Sequence, residues 1–226
     1  MRRVFTFAVA LVVLPALVLA QEHERKKVSE ATIVLNEIMD AEDKGVTRAL
    51  MEKAEAIAVF PSLLRTGFII GAQRGHGIIS VRDPESGTWS APAFLTITGG
   101  SIGAQIGAQA VDLVLVVQNR RGLEQLVRNQ FRIGGDAAVA AGPIGRDVSA
   151  ATDIQMRAQI LSYSRSRGLF AGITLNGSTI RQDRDANERF YNYPYRTPQI
   201  VFERLGGAPD PTADWRATLI KYAGGK

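Results

Sequence analysis

The sequence predicts an α+β domain: a curled, Gly-rich antiparallel β-sheet or partly closed barrel with N-terminal amphipathic helices and short flanking helices. Three observations predict it. Ala31, Val34, Leu35, Ile38 and Ala41 recur at helical spacing in a charged segment. Seventeen of the 22 glycines then crowd between Gly67 and Gly177, alternating with short β-branched runs. Asp83-Pro84-Glu85-Ser86-Gly87 and Leu175-Asn176-Gly177-Ser178 carry hairpin-turn chemistry. Strands joined by such short turns make an antiparallel sheet and not a βαβ alternation.

The elements follow in order. Residues 1–20 read as a signal peptide: Arg2 and Arg3 lead an apolar run, and Val18-Leu19-Ala20 offers a cleavage site before Gln21. The alternative is an uncleaved anchor, for which the run is short. A helix is expected over Glu22–Ala41, with Glu24, Lys26, Lys27 and Glu37 on its polar side. Its apolar stripe either packs on the sheet or lies on a membrane with Arg25, Lys26 and Lys27 at the headgroups. A short helix over Thr47–Ala56 follows, capped by Thr47. Strands are expected at Ala56–Phe60, Gly67–Ala72, Gly77–Arg82, Ser90–Thr98, Val111–Gln118, Val139–Ala141, Ile160–Ser166 and Leu169–Leu175. Helices are expected at Arg121–Asn129, at Ala186–Tyr191 with Asp185 as cap and Glu188 completing a capping box, and at Asp214–Tyr222. The layout is residues 1–20 leader, 21–205 one domain (helices in 22–56, sheet in 57–182) and 206–226 a C-terminal tail.

Composition excludes several chemistries. There is no cysteine, hence no disulfide, thiol nucleophile or Cys-ligated zinc. His23 and His76 are too few for a multi-histidine metal site. The net charge of +5 falls to +3 once Arg2 and Arg3 leave with the leader, and aromatics are 7%. Nucleic acid is therefore not an expected partner.

Three motifs imitate catalytic or binding loops. Gly99-Gly100-Ser101-Ile102-Gly103 matches a nucleophile elbow, but both histidines precede Ser101, so the triad order cannot be completed. It is expected to be a glycine turn. Gly71-Ala72-Gln73-Arg74-Gly75-His76-Gly77 leads into strand-like Ile78–Val81 instead of a helix, and is expected to be a hairpin turn. Asp183-Arg184-Asp185 opens like a calcium loop, yet its sixth and twelfth positions are Glu188 and Pro194. No catalytic residue, metal site or cofactor is expected.

Arginines carry the remaining signal: Arg120, Arg121, Arg128, Arg132, Arg165, Arg167, Arg181 and Arg184. Arg165 and Arg167 fall on one face of a strand with Tyr163, and Ser162, Ser164 and Ser166 fall opposite. Such a strand is expected to be shallow. The arginines either converge on an anionic surface or stand singly in solvent.

Several strings taken together resemble the SYLF domain family, a lipid-binding domain also known as an actin-binding domain in fungi. They are Lys53-Ala54-Glu55-Ala56-Ile57-Ala58-Val59-Phe60-Pro61, Gly67 to Gly77, Trp89-Ser90-Ala91-Pro92, and Gly99 to Gly107 running into Asp112 to Val117. Further along come Ala140-Ala141-Gly142-Pro143-Ile144-Gly145-Arg146, Tyr163-Ser164-Arg165-Ser166-Arg167-Gly168-Leu169-Phe170-Ala171-Gly172, and Ala186-Asn187 with Phe190-Tyr191. The likeness covers about Glu30 to Tyr193. It implies a non-enzymatic domain. Eukaryotic members bind phosphoinositide membranes through a basic surface and an amphipathic N-terminal helix, and some bundle actin beside an SH3 or FYVE module. The leader points to a bacterial exported branch, where actin is not expected.

The expected function is an exported, periplasmic or secreted, non-catalytic domain of the cell envelope that contacts anionic phospholipid. Its candidate lipid-binding residues are Arg165, Arg167, Arg121, Arg181, Arg184, Lys26 and Lys27. The rival expectation is a periplasmic protein-interaction or envelope-structural module without lipid affinity.

Overall fold

A computed structural model describes residues 3–41, 48–143, 158–166, 169–170, 175–205 and 212–224. Helix α1 (Arg3–Met39) is continuous, and α2 (Arg48–Glu52) follows. Strands β1 (Ala56–Val81) and β2 (Ala93–Val117) form a long hairpin. Then come α3 (Arg120–Leu126), β3 (Gln130–Arg132), β4 (Val139–Ala141), β5 (Ile160–Ser166), β6 (Leu169–Phe170) and β7 (Thr179–Gln182). Helices α4 (Arg184–Tyr191), α5 (Thr197–Val201) and α6 (Thr212–Ala223) complete the chain. The sheet runs β3-β7-β2-β5-β4, with β1 along the other side of β2 and β6 beside β5. The α+β class, the curled glycine-rich sheet and the N-terminal helix are as the sequence predicts.

The main departure is strand length. Three expected strands fuse into β1, and two expected strands fuse into β2. The glycine stretches 71–77 and 99–103 are therefore not turns: they lie inside strands, Gln73 opposite Gly99 and Gly71 opposite Ser101. The hairpin bends instead of breaking. Register slips between Phe60 and Leu63 and between Gly67 and Ile69, where Ser62 (φ 53°) and Gly67 (φ 145°) take positive φ. Such bulges sharpen strand curvature. The two halves of β1 then press together. A Cβ on Gly77 would lie 2.3 Å from the Val59 carbonyl oxygen, and one on Gly75 would lie 2.9 Å from Leu63 Cδ1. Glycine there permits the close approach. The ends of β1 meet, with the Arg82 amide donating to the Glu55 carbonyl at 2.8 Å.

Curling gives the sheet an inner and an outer face, each with its own core. Phe60, Leu63, Ile79, Leu95, Ile97, Leu113, Phe131 and Ile180 fill the inner one, joined by Leu123 and Leu126 of α3 and Ile200 and Val201 of α5. Ile57, Val59, Ile78, Phe94, Val114, Val116, Leu161 and Tyr163 point outward. Val28, Ala31, Val34, Leu35 and Ile38 of α1, Phe190 of α4 and Trp215, Leu219 and Tyr222 of α6 cover them. The amphipathic helix is thus docked. Burying Val28, Val34, Leu35 and Ile38 contributes on the order of 6–10 kcal/mol before ordering entropy is counted. The segment set apart as a tail holds α6, whose Trp215 indole donates to Ser80 Oγ at 2.8 Å.

Smaller corrections have local causes. Strand β4 pairs parallel, not antiparallel, with β5. Strand β5 is not shallow: Ser164 and Ser166 are buried along with Tyr163, because both its faces are covered. Helix α4 starts earlier than expected, and its cap is Asp183, which accepts from the Ala186 amide at 3.1 Å. The expected cap, Asp185, sits in the first turn.

Candidate functional site: a basic face of the sheet

The helices cover only part of the outer face. Where β1, β2, β7 and β3 run side by side, two cross-strand rows stay open. The first row is Arg74, Thr98, Thr179 and Arg132; the second is His76, Thr96, Arg181 and Gln130. The residues between them, Gly75, Ile97, Ile180 and Phe131, point to the inner core. Period-two alternation puts all eight on the outer face. Arg74, His76, Thr98, Gln130, Arg132 and Arg181 are exposed. Four strands span about 14 Å between row ends, and the rows stand about 7 Å apart.

The register also explains why the rows end where they do. One step further along β1 and β2, Ile78 and Phe94 replace the polar pair, and Phe190 of α4 lies edge-on to Phe94 with centroids 5.1 Å apart. Helix α4 is pinned there by Asn187, whose Oδ1 accepts from the Phe94 amide at 2.8 Å. Its first residue, Arg184, reaches Asn129, the residue before β3.

Of the predicted residues, Arg181 and Arg184 reach consecutive residues, Gln130 and Asn129, at the start of β3. Arg181 donates to Gln130 Oε1 at 3.3 Å and Arg184 to Asn129 Oδ1 at 3.0 Å. Both partners are neutral carboxamides. Among the described residues, neither arginine, nor Arg74 or Arg132, forms an ion pair. Their charge faces solvent. Arg165 is placed elsewhere: under α1 it donates to Glu37 Oε2 at 3.0 Å with its side chain 20% exposed. Lys27 pairs with Glu30 at 2.6 Å, and Lys26, largely in solvent, lies 3.9 Å from the same carboxylate. Arg121 is exposed at the start of α3, and no contact among the described residues joins it to the rows. Arg167 lies outside the described residues.

Sequence reading passed over Arg74 and His76 because they sat in a stretch read as a turn. It noted Arg132 without a place for it. One signal was present: in Arg74-Gly75-His76, Gln130-Phe131-Arg132 and Ile180-Arg181, polar and apolar or glycine positions alternate as on a half-exposed sheet.

Two acids touch the patch. Asp136 accepts from the Arg132 amide at 2.6 Å. Asp183 caps α4 and accepts from His76 Nδ1 at 3.1 Å. Burial pushes the Asp183 carboxyl up, but the His76 and Ala186 hydrogen bonds outweigh it and hold it below its ordinary value. The face therefore presents guanidinium groups, hydroxyls and an imidazole, a donor set for anionic oxygens. Ser101 lies within β2, whereas a nucleophile elbow requires a turn into a helix. Among the described residues no three acidic or histidine side chains are grouped to hold a metal ion.

Residues 98–221 match the family model Ysc84, described as Las17-binding protein actin regulator. The chain is 34% identical over 191 residues to SH3 domain-containing YSC84-like protein 1 of Rattus norvegicus, covering 83% of this chain and 55% of that protein. For the Homo sapiens protein of that name the identity is 33% over 191 residues, with 83% and 54% covered. LAS seventeen-binding protein 3 of Saccharomyces cerevisiae is 28% identical over 204 residues, with 89% and 43% covered. The chain spans about half the length of these relatives.

Proposed function

The chain belongs to the Ysc84, or SYLF, family, and from that premise we propose that it is a non-catalytic binding module that contacts anionic phospholipid membranes through a basic surface. One observation carries this reading: Arg181 and Arg184 are exposed and bind the neutral carboxamides of Gln130 and Asn129, without carboxylate partners among the described residues. Each arginine near an anionic surface adds about 1 kcal/mol, so a few together give a hundredfold or more in partitioning at low salt. The docked α1 contributes its polar side only, since its apolar stripe is spent on the sheet. Contact with the envelope after export through residues 1–20 belongs to the same reading; a product beginning at Gln21 in the exported fraction supports it.

The test is cosedimentation of the protein with phosphatidylglycerol-containing vesicles. Pelleting at low salt, released by added salt and absent with phosphatidylcholine alone, is expected. No pelleting at low salt overturns the reading. The family model's description as Las17-binding protein favours a second reading, a protein-interaction module. Its signature is a cross-linked envelope partner with no lipid effect.

A further inference from the structure

We propose that the two open rows on β1, β2, β7 and β3 form one headgroup-binding face. This rests on the membrane reading above and names where the contact is made. Three features of the face lead there.

The first is its donor content. Arg74 and Arg132 end one row with Thr98 and Thr179 between them; Arg181 lies in the other row beside Thr96 and Gln130. Guanidinium groups recognise phosphate by paired N–H donors, and the hydroxyls fill positions between them. The second is the contrast with other arginines. Arg165, Arg189 and Arg204 are each bound to a carboxylate, on Glu37, Glu24 and Asp83. Those on the face have no such partner among the described residues, so an incoming anion displaces no internal ion pair.

The third is shape. A free phosphate is held in a concave cradle that surrounds it with donors. Here the arginines project from a sheet surface, with row ends about 14 Å apart. No single phosphate spans that distance, whereas a membrane presents phosphates side by side. A lipid surface is therefore the source that fits.

His76 sits within this array, 47% exposed, with Asp183 bonded to it. The groups facing it are Arg74 two residues back on β1, Arg181 in its own row beyond Thr96, and Asp183 at the head of α4. Arg189 of α4 lies within electrostatic reach of Asp183 while pairing with Glu24. Both Asp183 oxygens are engaged, Oδ1 by the Ala186 amide and Oδ2 by His76, so this carboxylate is held at the helix cap and pairs with no arginine of the face.

The experiment measures vesicle binding by the full chain on phosphatidylglycerol-doped vesicles, for wild type and for Arg74→Glu with Arg132→Glu. Both changes are at exposed positions, and retained far-ultraviolet dichroism confirms folding. The double variant is expected to lose binding at least tenfold. Wild-type binding that the double variant keeps overturns the face while leaving the membrane reading intact; no wild-type binding overturns both. Inorganic pyrophosphate is the free-phosphate arm: saturable binding that depends on Arg74 and Arg132, without vesicle binding, overturns the membrane assignment.

Discussion

Gly77 and Gly100 separate two uses of glycine that look alike in the sequence. A Cβ on Gly77 would meet the Val59 carbonyl at 2.3 Å and the Phe60 ring at 2.5 Å; one on Gly100 has its nearest neighbour at 3.9 Å. Backbone cannot yield as a side-chain tip can. Gly77→Ala is therefore expected to lower stability by about 2–3 kcal/mol, with Gly100→Ala near neutral, by urea denaturation. Composition shows that glycines crowd this part of the chain, and close backbone approach is a fair inference from it. Which glycines carry that approach depends on how β1 folds against itself. That is set by bulges at Phe60/Leu63 and Gly67/Ile69, and a bulge has no composition of its own. Arg165 makes the same point for the site. Its place on a strand face is readable from Tyr163-Ser164-Arg165; its ion pair with Glu37, 128 residues away, is not.

At the scale of elements, helix α4 links the core to the basic face. Its apolar side carries Phe190 onto Phe94, and its first turn is held by Asp183, which also takes the bond from His76. Asp183→Ala is expected to cost about 1 kcal/mol at neutral pH, as for a lost N-cap. The pH dependence follows from the lowered carboxyl. Its stabilisation is complete above the ordinary aspartate value of 3.8 and is lost as pH falls through the lower folded value. The stability gap between wild type and variant should thus close at strongly acid pH, measured by thermal unfolding; a gap that persists contradicts the assignment. The helix was legible from Ala186 to Tyr191, but its start was not. Asp183 and Asp185 are both good caps, and only the fold decides which carboxylate caps the first turn. The apolar stripe of helix α1 shows the reverse case: Ala31, Val34, Leu35 and Ile38 are buried as their spacing predicts, because a helix stripe depends on local spacing alone; Glu24, expected on the polar side, is instead buried, because it pairs with Arg189 of α4.

At the scale of the whole molecule, the described residues form a sheet with two cores and an uncovered region on its outer face. Helices α1, α4 and α6 close the outer face over Ile57, Ile78, Phe94 and Tyr163 and stop at the polar rows. What the sequence offered at this scale was a count of arginines. What register adds is selection: Arg74, Arg132 and Arg181 share a face, Arg184 flanks it, and Arg165 is drawn into the helix-covered side. The absence of cysteine makes the selection directly measurable. Single cysteines at Thr98, in the middle of the first row, and at Ile33, 57% exposed on the outward side of α1, can each carry an environment-sensitive fluorophore. On addition of phosphatidylglycerol vesicles, the label at position 98 should shift to the blue and be quenched by lipid-borne quenchers, while the label at position 33 stays unchanged. A response at position 33 with none at position 98 would contradict the account.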